Sequence, residues 1–115
     1  MKKIYHLSSC STCQRILSQI NTEGFELIDI KKQNISEEDL NFVANAKGGY
    51  EAIFSKRAMK YRSMGLNEMD LTEEDYKKYM LEEYTFLKRP FVINDDKAYV
   101  GNSKKVVAEL VSDLG

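Results

Sequence analysis

The sequence predicts an α/β fold in which one mixed four-stranded sheet is covered by helices, in the order β-α-β, a helical insert, then β-β-α. Three observations predict it. Near the start, a short apolar run passes through a polar turn into helical spacing and then into an alternating run, the pattern of a parallel strand pair with a helical crossover. The middle of the chain carries capped helical patterns. After the one proline, two short apolar runs flank Asn94-Asp95-Asp96, and a capped apolar helix pattern follows them.

The elements follow in order. Residues 2–7 read as a strand, Ser8-Ser9 as a turn, and Ile16, Leu17 and Ile20 mark the inner face of a helix that ends at residues 21–24. Residues 25–30 alternate as a second strand. Ser36 precedes Glu37, Glu38 and Asp39 as an N-cap with an acidic first turn, Leu40, Val43 and Ala44 form the stripe behind it, and Gly48-Gly49 stops the helix. Residues 50–66 read as a broken helix with Tyr50, Ile53, Phe54 and Ala58 inward and Gly65 as terminator. Thr72, followed by Glu73, Glu74 and Asp75, caps a helix that carries Tyr76, Tyr79, Met80 and Tyr84. Residues 91–93 and 97–100 pair as a hairpin, and Ser103 caps a last helix through Val106, Val107, Leu110 and Val111.

A chain of 115 residues has the size of one domain and buries about two-thirds of the surface its unfolded form exposes. It is read as a single domain, 1–115, with the helical insert at about 36–86. Hydrophobic residues at 43%, against one Pro and six Gly, exclude a disordered or collagen-like chain. Seventeen Lys plus Arg nearly cancel eighteen Asp plus Glu, so no global field recruits nucleic acid or an anionic membrane. The longest stretch without Asp, Glu, Lys or Arg, residues 4–14, is too short and too polar for a bilayer span or a signal-peptide core. The expected compartment is a reducing cytoplasm, where two cysteines at this spacing point to redox or metal chemistry rather than a structural disulfide.

Cys10-Ser11-Thr12-Cys13 stands where the first strand hands over to the first helix, with Cys10 at the helix entrance and Cys13 one turn inside. Free backbone N–H groups and the positive end of the helix dipole favour a thiolate there, and cysteines in such motifs reach pKa values of roughly 3.5 to 7.5. Cys10 is the candidate nucleophile, and Cys13 the resolving thiol for a mixed disulfide formed at Cys10. The competing reading is a pair of small buried side chains. His6 joins the cysteines as a soft metal ligand, yet three ligands leave a tetrahedral zinc site incomplete, so no metal is expected. His6 itself reads as a strand-end residue or as a charge that tunes the thiolate.

Pro90 opens a strand after the insert, where a cis bond would present the preceding backbone to an extended substrate; an ordinary trans proline on an edge strand is the alternative. Arg89 offers a bidentate guanidinium to a carboxylate or oxyanion, against the reading of Lys88-Arg89 as a solvated pair. The chain after Leu87 must return beside the first strand, which brings Arg89 to the Cys10 loop at the strand ends. Lys56, Arg57, Lys60 and Arg62, interleaved with Phe54 and Tyr61, form the one basic and aromatic cluster, and nearby acidic runs offset it; a solvated or anion-binding face fits better than a nucleic-acid surface.

Together these segments resemble the arsenate-reductase-like (ArsC) family of the thioredoxin superfamily, which also holds the Spx transcriptional regulators and small glutathione-linked thiol reductases. The resemblance is carried by Ile4-Tyr5-His6 leading to Cys10-Ser11-Thr12-Cys13, by Phe54-Ser55-Lys56-Arg57, by Tyr61-Arg62-Ser63-Met64-Gly65-Leu66, and by Arg89-Pro90 followed by the hairpin and Gly101. It implies a thioredoxin-like fold, Cys10 in the nucleophile position, Pro90 in the cis-proline position and Arg89 as the arginine near the thiolate. It also implies substrate contacts from Ser11, Thr12, Pro90 and Arg57. Glutaredoxin-coupled arsenate reductases hold their oxyanion with three arginines. Here only Arg89 aligns well, Ser55 stands at the middle position with Arg57 two residues on, and the third is replaced around Gly101-Asn102. Two cysteines in the loop are similar to the Spx-like and uncharacterised branches.

The expected activity is therefore thiol–disulfide reduction with no bound cofactor, on a thiol or disulfide substrate such as a glutathione adduct, with glutathione, glutaredoxin or thioredoxin as reductant. A redox-sensing regulator that binds an RNA polymerase subunit is the alternative, and arsenate reduction the second one.

Overall fold

Four strands, β1 (Lys2–His6), β2 (Glu26–Asp29), β3 (Phe91–Asn94) and β4 (Lys97–Val100), form one sheet in the spatial order β2-β1-β3-β4 in the computed structural model, which describes residues 1–115. Five α-helices accompany them: α1 (Ser11–Leu17), α2 (Glu37–Lys47), α3 (Met59–Ser63), α4 (Glu73–Glu82) and α5 (Lys104–Leu114). The chain forms two compact units. One is Met1–Gln33 with Arg89–Gly115, and the other is Asn34–Lys88.

The first unit holds the whole sheet with α1 and α5. β1 pairs parallel with β2, Ile4 opposite Leu27 and His6 opposite Asp29, and antiparallel with β3, Tyr5 opposite Phe91. β3 and β4 close a hairpin in which Asn94 faces Lys97, so the turn is Asp95-Asp96 alone. Asp95 takes the left-handed φ of +55°, which a short polar side chain tolerates better than most. Ile4, Ile16, Ile20, Val92, Tyr99 and Leu110 form the buried core of this unit, with Leu17, Phe25, Val106, Val107 and Leu114 packed on it. Full burial of each such aliphatic side chain stabilises by about 1.5–3 kcal/mol. Lys97 Nζ and the Tyr99 hydroxyl both donate to Asp113 Oδ2, at 3.0 and 2.6 Å, tying β4 to α5.

The strands are shorter than their apolar patterns. Leu7, Phe25 and Ile30 lie outside them, although the Ile30 N–H still donates to the His6 carbonyl at 2.8 Å. β2 is an edge strand, so Ile28 is buried while Leu27 is 50% exposed. β3 is central and buried at Phe91, Val92 and Ile93 alike, which is why it reads as a continuous apolar run. Val111, one of the four apolar residues by which α5 is read, is 40% exposed; Leu110 is the buried residue of that turn.

The second unit is helical. Ser36 Oγ accepts from the Asp39 N–H, and Gly48 ends α2 in the left-handed conformation at φ +90°. Thr72 and Asp75 form a reciprocal capping box at α4. The expected broken helix over 50–66 is a single 3-10 turn at Glu51–Ile53, an extended Phe54, then α3 and a second 3-10 turn at Leu66–Glu68. Phe54 is extended because it bridges Leu87: the Ser55 N–H donates to the Phe86 carbonyl at 2.7 Å and the Lys88 N–H to the Ile53 carbonyl at 3.2 Å. The Phe54 ring stacks on Phe86 at 4.8 Å and meets Tyr76 edge-on at 4.9 Å. Tyr84 falls outside α4, in a 3-10 turn after the helix ends, where the Asn34 amide donates to the Met80 and Leu81 carbonyls. No helix is long and apolar enough to cross a membrane.

Candidate active site

The site begins at the end of β1. The chain turns through Ser8-Ser9, the Cys10 N–H donates to the Leu7 carbonyl at 3.0 Å, and Cys10 becomes the N-cap of α1 with extended backbone at φ −93° and ψ 110°. Ser11 opens the helix exposed, Thr12 is half-buried and Cys13 is fully buried. Both cysteines are free thiols.

The groups around Cys10 decide the chemistry. Burial pushes the Cys10 thiol up, but the Cys13 backbone N–H, the Cys13 thiol and the Arg89 guanidinium outweigh it and hold Cys10 below the ordinary cysteine value. Cys13 moves the other way. Burial, opposed by a backbone hydrogen bond from Leu7 and reinforced by the charge of Cys10, pushes it up to about 11. One sulfur is set to ionise and the other to stay protonated and donate to it.

Arg89 comes to Cys10 because β3 pairs with β1: Tyr5 opposite Phe91 places the start of β3 beside the end of β1. Arg89 is half-buried and Pro90 buried. The Arg89–Pro90 peptide bond is cis. The Pro90 carbonyl accepts from the Gly101 N–H at 3.0 Å, and the Asn102 amide reaches the Arg89 carbonyl at 3.5 Å. Asn102 thus stands against the backbone of the Arg-Pro pair.

Arg57 belongs to the helical unit, exposed on the segment before α3, and carries no ion pair; the nearby Lys56 and Lys60 are tied to Glu51 and Glu83, both at 2.6 Å. His6 sits half-buried at the strand end, its Nδ1 3.2 Å from the Gln14 amide nitrogen and its register partner Asp29 accepting from the Ser8 hydroxyl at 2.6 Å. No group of three His, Cys, Asp or Glu side chains is arranged to hold a metal ion. Sequence reasoning missed Gln14 and Leu7. A glutamine after the second cysteine carries no pattern of its own, and Leu7 acts through its backbone.

A model of the ArsC family matches residues 5–110. The chain belongs to the ArsC family. Among its relatives, a protein of Haemophilus influenzae named arsenate reductase is 28% identical over 112 residues, covering 94% of this chain and 97% of that one. An arsenate reductase of Escherichia coli is 24% identical over 113 residues, covering 96% and 80%. The solved structure of an arsenate reductase from Vibrio cholerae superposes with a TM-score of 0.79 at 22% identity, covering 95% of this chain and 96% of that chain. The β-α-β and β-β-α halves around a helical insert are thus the thioredoxin-like architecture of ArsC proteins.

Proposed function

We propose that this ArsC protein is a thiol–disulfide reductase in which Cys10 is the nucleophile and Cys13 resolves. The observation that carries the reading is the opposite tuning of the two thiols: Cys10 is held low beside Arg89 while the buried Cys13 stays protonated against it. The Cys10 thiolate attacks one sulfur of a disulfide or glutathione adduct, forming a mixed disulfide and expelling the other sulfur as a thiolate. Bonding removes the negative charge of Cys10. Cys13 then loses its proton more easily, attacks the Cys10 sulfur and expels the reduced substrate thiol, leaving a Cys10–Cys13 disulfide. Two electrons from glutathione, glutaredoxin or thioredoxin restore the dithiol in the reducing cytoplasm. No bound cofactor is needed.

In this reading the exposed Ser11 and half-buried Thr12 border the incoming sulfur, the backbone before Pro90 lines the substrate, and Arg89 holds charge at the nucleophile. The experiment is a trap: Cys13→Ser protein expressed in cells stalls at the mixed disulfide, and mass spectrometry identifies what is attached to Cys10. A low-molecular-weight thiol or a redox protein supports the reductase. An RNA polymerase subunit, bound by disulfide or differently by reduced and oxidised protein, would favour a redox-sensing regulator. An unmodified Cys10 would sink the reductase reading.

The names of the relatives favour a second reading, arsenate reduction. Cys10 would attack the arsenic of an oxyanion held by Arg89 and displace water; a thiol such as glutathione would then attack the Cys10 sulfur, so that arsenic leaves as arsenite with two electrons and the mixed disulfide left on Cys10 is reduced by a second thiol. Arsenate-dependent oxidation of a reductant, lost in Cys10→Ser, tests it; inactivity with glutathione, glutaredoxin and thioredoxin all supplied removes it.

A further inference from the structure

We propose that Gln14 is a positioning residue for the dithiol: its side-chain amide latches the first turn of α1 to the end of β1 by holding the Leu7 carbonyl and the Nδ1 lone pair of His6 together. The inference rests on the thiol–disulfide reading above. Gln14 Nε2 donates to the Leu7 carbonyl at 3.0 Å and lies 3.2 Å from His6 Nδ1. An NH2 group has two hydrogens, one for each acceptor. The opposite amide orientation would aim Oε1 at the Leu7 carbonyl oxygen, acceptor against acceptor, so the carbonyl fixes which way the amide points. The amide in turn fixes His6, whose Nδ1 must accept; the ring proton therefore resides on Nε2.

The latch matters because the Leu7 backbone bonds to both cysteines. Its carbonyl accepts from the Cys10 N–H at 3.0 Å, and its N–H bonds the Cys13 sulfur. Gln14 follows Cys13 directly, so releasing its amide frees the helix turn that carries Cys13 from the strand end that supplies the donor. Attack by Cys13 on a disulfide at Cys10 needs both sulfurs in line. A proton on His6 Nδ1 would set N–H against N–H and open one arm of the latch. Asp29, opposite His6 on β2, is the charged group facing the ring across that pairing, and Gln14 is its uncharged neighbour on α1.

The test uses the full-length protein and dithiobis-nitrobenzoate. The Cys10 thiolate attacks one reagent sulfur and releases one coloured nitrothiobenzoate. Cys13 then gives up its proton, attacks the Cys10 sulfur and releases the second, so the dithiol is oxidised by two electrons and the reagent disulfide reduced. Gln14→Met keeps the length and removes both donors. It should slow the second release about twofold to tenfold, the weight of a lost hydrogen bond, while leaving the first nearly unchanged. Nitrogen chemical shifts should show His6 protonated at Nε2 in the wild type and a mixture of tautomers in Gln14→Met. A wild-type-like circular dichroism spectrum and first release in Gln14→Met guard against the variant merely unfolding.

A wild-type His6 protonated at Nδ1, or a second release indifferent to Gln14, overturns the latch and leaves the reductase standing. A wild type that never releases the second thiol, with His6 as expected, overturns the dithiol reading and with it any role of Gln14 in closure.

Discussion

The Arg89 guanidinium lies against the Cys10 sulfur and lowers its thiol, although the two residues belong to opposite ends of the chain. The parallel β1–β2 pair and the antiparallel return of β3 to β1 make this meeting a consequence of topology. Arg89→Ala should raise the Cys10 pKa and slow its alkylation at pH 7 by roughly threefold to tenfold, since one pKa unit is tenfold in thiolate fraction. Unfolding transitions should barely move. Alkylation rates against pH for the two proteins measure it directly, and equal midpoints would remove Arg89 from the site.

The two thiols should label in sequence. Cys10 is accessible and held low, whereas Cys13 is fully buried and pushed up to about 11. Iodoacetamide at pH 7 should therefore carboxamidomethylate Cys10 alone, with Cys13 reacting only in denaturant. Peptide mapping after partial labelling gives the ratio. Comparable modification of both cysteines in folded protein would contradict the burial of Cys13.

The geometry of the candidate site was largely legible in the sequence because most of its signals are local motifs. Cys10-Ser11-Thr12-Cys13 at a strand-to-helix junction sets the thiols, and Arg89-Pro90 before the last hairpin sets the charge and the cis bond. The caps at Ser36, Thr72 and Ser103 were equally readable, because a side-chain oxygen and a following N–H are close in sequence. What escaped was bonding over distance. The bridge of Phe54 to Leu87 breaks a helical pattern from more than thirty residues away, and periodicity has no term for it. Gln14 escaped for a related reason: its role depends on two acceptors at the end of β1 that only the fold aligns with it.

The helical unit has one aromatic keystone. Phe54 is 1% exposed and touches Tyr61, Tyr76 and Phe86 through its ring. Phe54→Ala should cost about 3–5 kcal/mol, the range for truncating a buried phenylalanine, with the Tyr and Phe partners left around a cavity. Phe54→Leu should recover more than half of that. Urea unfolding followed by circular dichroism reports both, and a loss near zero for Phe54→Ala would show that this ring is not part of the unit's core.

Alkaline stability should be governed by Cys13 within the thiol pair. An unfolded cysteine titrates near about 8.5, and Cys13 in the folded chain is raised to about 11. A raised folded value gives stability that is complete below the unfolded value and is lost as pH rises through the folded one. Cys10 has the opposite sign: lowered in the fold, it contributes stability that is already in place above about 8.5 and is lost only as pH falls through its folded value. Between about 8.5 and 11 the pair should therefore lose stability through Cys13, by at most about 3 kcal/mol on the linkage relation. Tyr and Lys side chains titrate in the same window, so the informative quantity is the difference between wild type and Cys13→Ser in unfolding free energy across that range. Their gap should shrink or reverse as pH rises from 8 to 11. The gap should change less in a Cys10→Ser background, where no thiolate remains to hold the Cys13 proton on. A constant gap across the whole range would mean that Cys13 ionises as freely in the fold as in the unfolded chain.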